Sequence, residues 1–445
     1  MNMFEINNLY KKFIEENFDE NKNGAFKVID YINNSTAKYK GKPIYSLYMP
    51  KIFDSDTLNY LEKASRTMYN ILLKVVRNYI DDENYRKLFM FDKNLERLIL
   101  SETGYESLLP IIRIDIFLNE ENLNFKYCEF NADGCSSMNE DRELNNALKF
   151  APAYNKMREK YDLSSFELFN SWVDEFINIY NTYKFKKEKP FIVITDFLEK
   201  GCSAEEFEQF RKSFENAGYD CEVCEIRDFV YNKSERQLFT KSKKKVDAVY
   251  RRAVTTDIME NIDEVKDFVE AAYDGAFCMI GGFRTHIIHN KILFYILNNE
   301  LTYKFLTKEE IKYIHEHIPK TVSLTENEIV KNNVLNEKDK WIIKPEDSYG
   351  ARGVFAGMHY NQNEWETILK RCIKNKYILQ EFVMPYRSYN IDFKKGDEFK
   401  LYSNLTGMFM YNGKLKGIYS RQSAKEIIST EHDENDIASV IARRI

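Results

Sequence analysis

Residues 111–134, IIRIDIFLNEENLNFKYCEFNADG, constrain the chain more than any other stretch. Apolar and polar residues alternate on both sides of a short Asn- and Glu-rich tip, which predicts an antiparallel β-ribbon turning near Asn122. Asp115 and Glu129 are then equidistant from the tip, as are Arg113 and Asn131, so each pair stands directly across the ribbon. All four share one face, while Ile112, Ile114 and Ile116 take the other and anchor it to a core. Two carboxylates set opposite one another repel unless a positive charge lies between them. Arg113 and a bound divalent cation are the two candidates for that charge. An all-oxygen set without His or thiolate favours magnesium or manganese over zinc. An exposed ribbon carrying ordinary surface ion pairs, each worth roughly 0–1 kcal/mol, would use the same residues.

A second pattern lies at residues 341–357, WIIKPEDSYGARGVFAG. An apolar strand delivers Lys344, and a polar loop with Ser348, Gly350 and Gly353 turns the chain back into another strand. Glycines let backbone amides approach an anion closely, and lysine adds a point charge for phosphate oxygens. In a Walker loop the lysine instead follows the glycines and leads into a helix. Downstream, YILQEFV ends an apolar strand with Gln380 and Glu381, placed to meet an adenine and a ribose. LTGMFMYNGKLKGIYSRQS predicts a hairpin turning at Asn412-Gly413, with Arg421 just past its second strand. In HNKILFYIL, Lys291 opens a helical pattern, where the helix dipole disfavours a cation unless an anion lies nearby.

With 445 residues, 44% of them hydrophobic, the chain should divide into two or three units. Residues 1–185 read as mainly helical apart from the ribbon, and include an amphipathic helix beginning at a Ser55 cap. Residues 186–285 alternate strand and helix like a small doubly wound unit, and residues 286–445 carry the glycine loop and a run of antiparallel strands. The 65 Lys and Arg against 70 Asp and Glu leave a net charge of −5, so nucleic acid and anionic membranes are not expected partners. No apolar run approaches the ~20 residues of a membrane span, and the opening lacks a secretory pattern, so a cytoplasmic protein is expected. The seven cysteines are irregularly spaced; Cys221 and Cys224 read as strand thiols rather than as a metal or redox pair. His315, His317 and Cys135 read as structural.

Taken in order, RID, EFNADG, HNK, KPEDSYGARG, LQEFV and YSRQS resemble the glutathionylspermidine synthase family, whose synthetase domain is a circularly permuted ATP-grasp ligase. The likeness runs from about residue 110 to 425. It implies an α/β, permuted ATP-grasp fold with an inserted doubly wound unit, in which the metal-binding carboxylates precede the glycine loop. Position by position it implies Asp115, Glu129 and Asn131 as magnesium ligands and Arg113 beside the transferred phosphate. Lys291 and Lys344 would hold the ATP phosphates, with Ser348, Gly350, Gly353, Gln380 and Glu381 around the nucleotide and Arg421 steadying the transition state. A capping box from Ser137 to Glu140 would leave helix amides free beyond Glu129, placing an acid's carboxylate near Ser136 and Ser137.

The implied reaction uses ATP and Mg2+ to join a small-molecule or peptide acid to an amine through an acyl phosphate. No cysteine precedes Cys128, so the amidase activity of the bifunctional members is not expected. NADGCSS replaces the family's NADTP, and the stretch between Lys291 and Lys344 is longer. Both changes fall where substrate is chosen, so glutathione and spermidine are not carried over. The same chemistry on another acid and amine, and a non-catalytic ATP-binding module, are the alternatives.

Overall fold

The computed structural model describes residues 2–198, 202–348, 350–429 and 433–445. At its centre lies an antiparallel sheet built from distant parts of the chain. Strands Ile111–Leu118 and Phe125–Asn131 form the expected ribbon, with Asp115 opposite Glu129 and Arg113 opposite Asn131. Past Asp115 the register shifts and Ile116 faces Tyr127, a bulge at Cys128 that sharpens the twist of the ribbon. Ile111–Leu118 pairs on its other edge with Phe399–Tyr411, which is followed by Lys414–Ser423 and Glu434–Ile437. Arg387–Ile391 pairs with the first part of Phe399–Tyr411.

Ile112, Ile114 and Ile116 are fully buried, in one cluster with Val75, Val76, Met408 and Ile418. The helix Ser55–Asp81 supplies the two valines, and each such side chain contributes about 1.5–3 kcal/mol by leaving water. Its N-cap is Asp54, whose carboxylate accepts from the Asp56 and Thr57 amides, and not the expected Ser55. An aspartate one residue earlier satisfies both amides and also favours the positive helix end.

The turn at Asn412-Gly413 forms as expected, with φ of 45° and 83°, the pair of positive values that a type I′ hairpin demands. Arg421, however, lies inside Lys414–Ser423 and not beyond it, because Glu434–Ile437 continues the sheet and sets Asp436 opposite Arg421.

The middle of the chain forms a four-stranded parallel sheet in the order Cys278–Ile280, Ala248–Arg251, Ile192–Asp196, Cys221–Glu225. The first strand in sequence thus sits between the second and the third. In doubly wound sheets the crevice at the carboxyl ends of such a reversal is where ligands bind. Cys221 and Cys224 belong to different buried clusters and burial pushes both thiols up, so the strand sends them to opposite sides of the sheet.

A second four-stranded sheet, Thr321–Ser323, Tyr377–Glu381, Trp341–Pro345 and Phe355–Ala356, forms a lid with its own core around Trp341, Trp365 and Leu379. Ser439–Arg444 runs parallel to Lys51–Asp54 and antiparallel to Tyr161–Ser165. Among the described residues, no helix is long and apolar enough to cross a membrane.

Candidate active site

The polar face of the ribbon, the lid sheet and the carboxyl ends of the parallel strands enclose one cavity of about 380 Å³. The ribbon contributes Arg113, Glu129 and Asn131 to its wall, the lid Lys344, Gln380 and Glu381, and the segment between them Lys291, while the central-sheet strand Lys414–Ser423 supplies Arg421.

Asp115 lies beneath this wall with no exposed surface. Arg113 grips it with two donors, Nε to Oδ1 at 2.8 Å and Nη2 to Oδ2 at 3.1 Å, while Arg421 donates Nη2 to Oδ2 at 2.5 Å. Burial pushes the Asp115 carboxyl up, and the two guanidinium groups pull against it. Such an arrangement needs close backbone approach from the neighbouring strand. Gly407 pairs with Asp115, and a Cβ there would stand 2.7 Å from Asp115 Oδ1 and 2.9 Å from Arg113 Cδ.

Glu129 faces the cavity. Burial alone would raise its pKa, but Lys291, Arg421 and Arg113 outweigh that and hold it well below the usual carboxylate range. The Asn131 amide nitrogen lies between the carboxylates, 3.1 Å from Asp115 Oδ2 and 3.3 Å from Glu129 Oε1. Two arginines therefore supply positive charge at the paired carboxylates, where the sequence left arginine or metal open. Asp115, expected as a magnesium ligand, has both oxygens engaged by the two arginines and does not reach the cavity, which leaves Glu129 and Asn131 as the oxygen donors for a hard divalent cation; nearby Cys128 is a thiol pushed up to about 12.

On the lid, Lys344 donates to Gln380 Oε1 at 2.8 Å, and Gln380 Nε2 donates to the Thr321 hydroxyl at 2.9 Å. The Lys291 ammonium reaches the Ser348 carbonyl. Its pKa is lowered, chiefly by burial, although Glu129 opposes this. Ser348 and Gly350 line the cavity. Gly353 does not: with φ of 73° and Tyr377 Oη 2.9 Å from where a Cβ would sit, it packs the loop onto its neighbouring strand.

Ser136 and Ser137 both line the cavity, and the Ser136 carbonyl accepts from Arg113 Nη1 at 2.8 Å. The capping box from Ser137 to Glu140 does not form. Ser137 adopts a left-handed conformation, φ 87°, and its side chain makes no capping bond to Met138–Ala147. Glu206 caps the helix instead, its Oε2 accepting from the Met138 and Asn139 amides at 2.7 and 3.2 Å while Arg252 holds its other oxygen at 2.7 Å. A charged cap from another element satisfies two amides at once and outcompetes a local hydroxyl. These amides are thus already taken and do not receive a substrate carboxylate. The preceding turn needs its glycine, since a Cβ on Gly134, φ 69°, would meet the Arg252 carbonyl at 2.2 Å.

Sequence reasoning missed an acidic wing of the same cavity. Glu140, released from capping, is buried with its Oε2 lacking any partner among the described residues. Burial and the nearby Glu206 and Asp436 push its carboxyl well up. Burial and Glu434 push Asp436 to about 7, and Tyr419 donates its hydroxyl to it. Asp196, raised to about 7 by burial, closes the wing at the carboxyl end of the first parallel strand. The one sequence signal was strand periodicity in ENDIAS, which would have set Asp436 beside Arg421. Cys135 also lines this wing, but burial pushes its thiol to about 11, which argues against a nucleophile. His315 donates to or accepts from Tyr303, and His317 stacks on Phe125 at 4.1 Å, both in structural roles.

No protein-family model and no curated protein matches this sequence. Solved structures do. A glutathione synthetase-like effector from Globodera pallida aligns over 94% of this chain and 96% of its own, with a TM-score of 0.63 and 12% identity. The chain has an ATP-grasp fold. A putative gamma-glutamylcysteine synthetase from Methylobacillus flagellatus aligns at TM-score 0.44 and 9% identity over 85% of this chain and 87% of that one. The D-alanyl-alanine synthetase A of Vibrio cholerae aligns at TM-score 0.31 and 10% identity, over 57% and 89%. The mixed α/β, ATP-grasp architecture expected from the motifs is the one found.

Proposed function

We propose that this chain is an ATP-dependent ligase that joins a carboxylic acid to an amine through an acyl phosphate, with the permuted ATP-grasp order of the glutathionylspermidine synthase family. One observation carries this reading: the ribbon's Glu129 and Asn131, the lid's Lys344 and the separate Lys291 and Arg421 face a single cavity, with Asp115 clamped beneath. Loops this far apart in sequence gather so many charges only where a highly charged ligand offsets them.

Lys344, Lys291 and the loop at Ser348 and Gly350 bind the triphosphate, and Gln380 and Glu381 at the end of their strand meet the nucleoside. Glu129 and Asn131, which line the cavity, would hold magnesium, which supplies neutralisation of the phosphate charge, while Asp115 orients Arg113 and Arg421 beneath them. An oxygen of the acid attacks the γ-phosphorus and ADP leaves. The amine nitrogen then attacks the acyl carbon, and inorganic phosphate leaves from the tetrahedral intermediate. Arg113 and Arg421 flank the site and stabilise the charge spread over the transferring phosphoryl group. The wing of Asp436 and Asp196, each raised to about 7, fits an amine-bearing acceptor, since a carboxylate there takes the proton that the ammonium loses before its nitrogen attacks. Free thiols at all seven cysteines support a reducing, cytoplasmic setting.

Phosphate release from ATP in the presence of paired acids and amines, with mass spectrometry of the products, tests the proposal. Tight ATP binding with no phosphate released by any pair would mark a nucleotide-binding module instead.

A further inference from the structure

The root of the lid's glycine loop is tied down by groups outside the lid. The Lys291 backbone N–H donates to the Glu346 carbonyl at 2.7 Å, and the Lys291 ammonium reaches the Ser348 carbonyl. Between them, the Thr256 hydroxyl donates to Asp347 Oδ2 at 2.7 Å. Among the described residues this is the one hydrogen bond that the Asp347 side chain receives; the buried His286 ring stands 3.5 Å from the same oxygen.

Thr256 belongs to the middle unit, and its two neighbours face other parts of the site. The Thr255 N–H donates to Asp133 Oδ2 at 2.6 Å, just past the end of the ribbon, and Asp257 lines the cavity. Three successive residues therefore touch the ribbon's exit, the root of the glycine loop and the cavity wall.

We infer that Thr256 is a positioning residue for the nucleotide, acting through Asp347 to hold residues 346–348 where Lys344 and the loop amides meet the phosphates. The inference rests on the ligase reading above. The Asp347 side chain is 29% exposed, so losing the bond lets the loop turn to water and does not bury a bare charge. Nucleotide affinity, not the stability of the fold, should register the loss.

Calorimetric titration of the full chain with a non-hydrolysable ATP analogue and magnesium provides the test. Thr256→Val should weaken binding roughly five- to tenfold, the worth of one ordinary hydrogen bond at a part-exposed site, with an unchanged melting temperature. Thr256→Ser should restore it. Asp347→Ala should weaken it as much as Thr256→Val, and the double variant should be no worse than either single one. Wild-type affinity in Thr256→Val, or losses that add in the double variant, would overturn the inference while leaving the ligase reading in place. A wild-type chain that binds no nucleotide would overturn both.

Discussion

Arg421 donates to Oδ2 of Asp115 across 306 residues of sequence, at 2.5 Å, with both side chains almost wholly out of solvent. The bond ties the last strands of the central sheet to the ribbon at the point where the proposed chemistry occurs. Replacing Arg421 by alanine should lower kcat by at least a hundredfold, since removing one preorganised charge contact costs on the order of 3 kcal/mol in the barrier. Arg421→Lys keeps the charge but loses the fork that reaches Asp115 and Glu434 together, so it should recover only a small part of the rate. A variant with wild-type kcat would remove Arg421 from the mechanism.

Glu129→Gln should abolish phosphate release at low magnesium and recover partly as magnesium is raised, because a neutral amide binds a hard cation more weakly than a carboxylate. Rates measured across a magnesium series, with folding checked by circular dichroism, give the answer. An unchanged magnesium dependence would exclude Glu129 as a ligand.

If the amine enters against the acidic wing, Asp196→Asn should raise KM for the amine about tenfold above pH 7, as expected for loss of one partly buried charge contact. KM for ATP should not move if the wing serves the amine alone. Equal changes in both constants would place the amine elsewhere.

Asp141, outside the cavity, offers a test by stability alone. Burial pushes its carboxyl to about 8, although its Oδ1 accepts from the Ser439 amide at 2.9 Å. Its folded pKa therefore lies above the ordinary value near 3.9, so the folded chain binds the extra proton. The stability that this provides is fully present below about pH 4 and drains away as pH rises toward 8. An amide can still accept the Ser439 N–H, so Asp141→Asn should gain on wild type as pH rises through that window. Denaturant unfolding at pH 4.5 and 7.5 would show the difference widening; a constant difference would contradict it.

Much of the site was legible because its pieces are local. Asp115 and Glu129 face one another because they lie equally far from a polar tip, and Lys344 precedes a loop whose glycines announce themselves. Legibility failed where a partner came from afar. Nothing near Ser137 says that Glu206, on a helix far along the chain, will take the helix amides, and nothing at Gly407 says that a ribbon side chain will press against it. Glu140 read as half of a capping box, and only the assembled sheet brings it and Asp436 under one roof. Arg421 was read one step too far along because the strand that extends its sheet comes after it.

The pairing of Ile111–Leu118 with Phe399–Tyr411 has a consequence for synthesis. The ribbon emerges from the ribosome well before the strands Phe399–Tyr411 and Lys414–Ser423, which cover its inner edge and carry Arg421. Until then its isoleucines have no complete shelter and Asp115 lacks its second arginine. The nascent ribbon must therefore stay exposed to chaperones until those later strands dock.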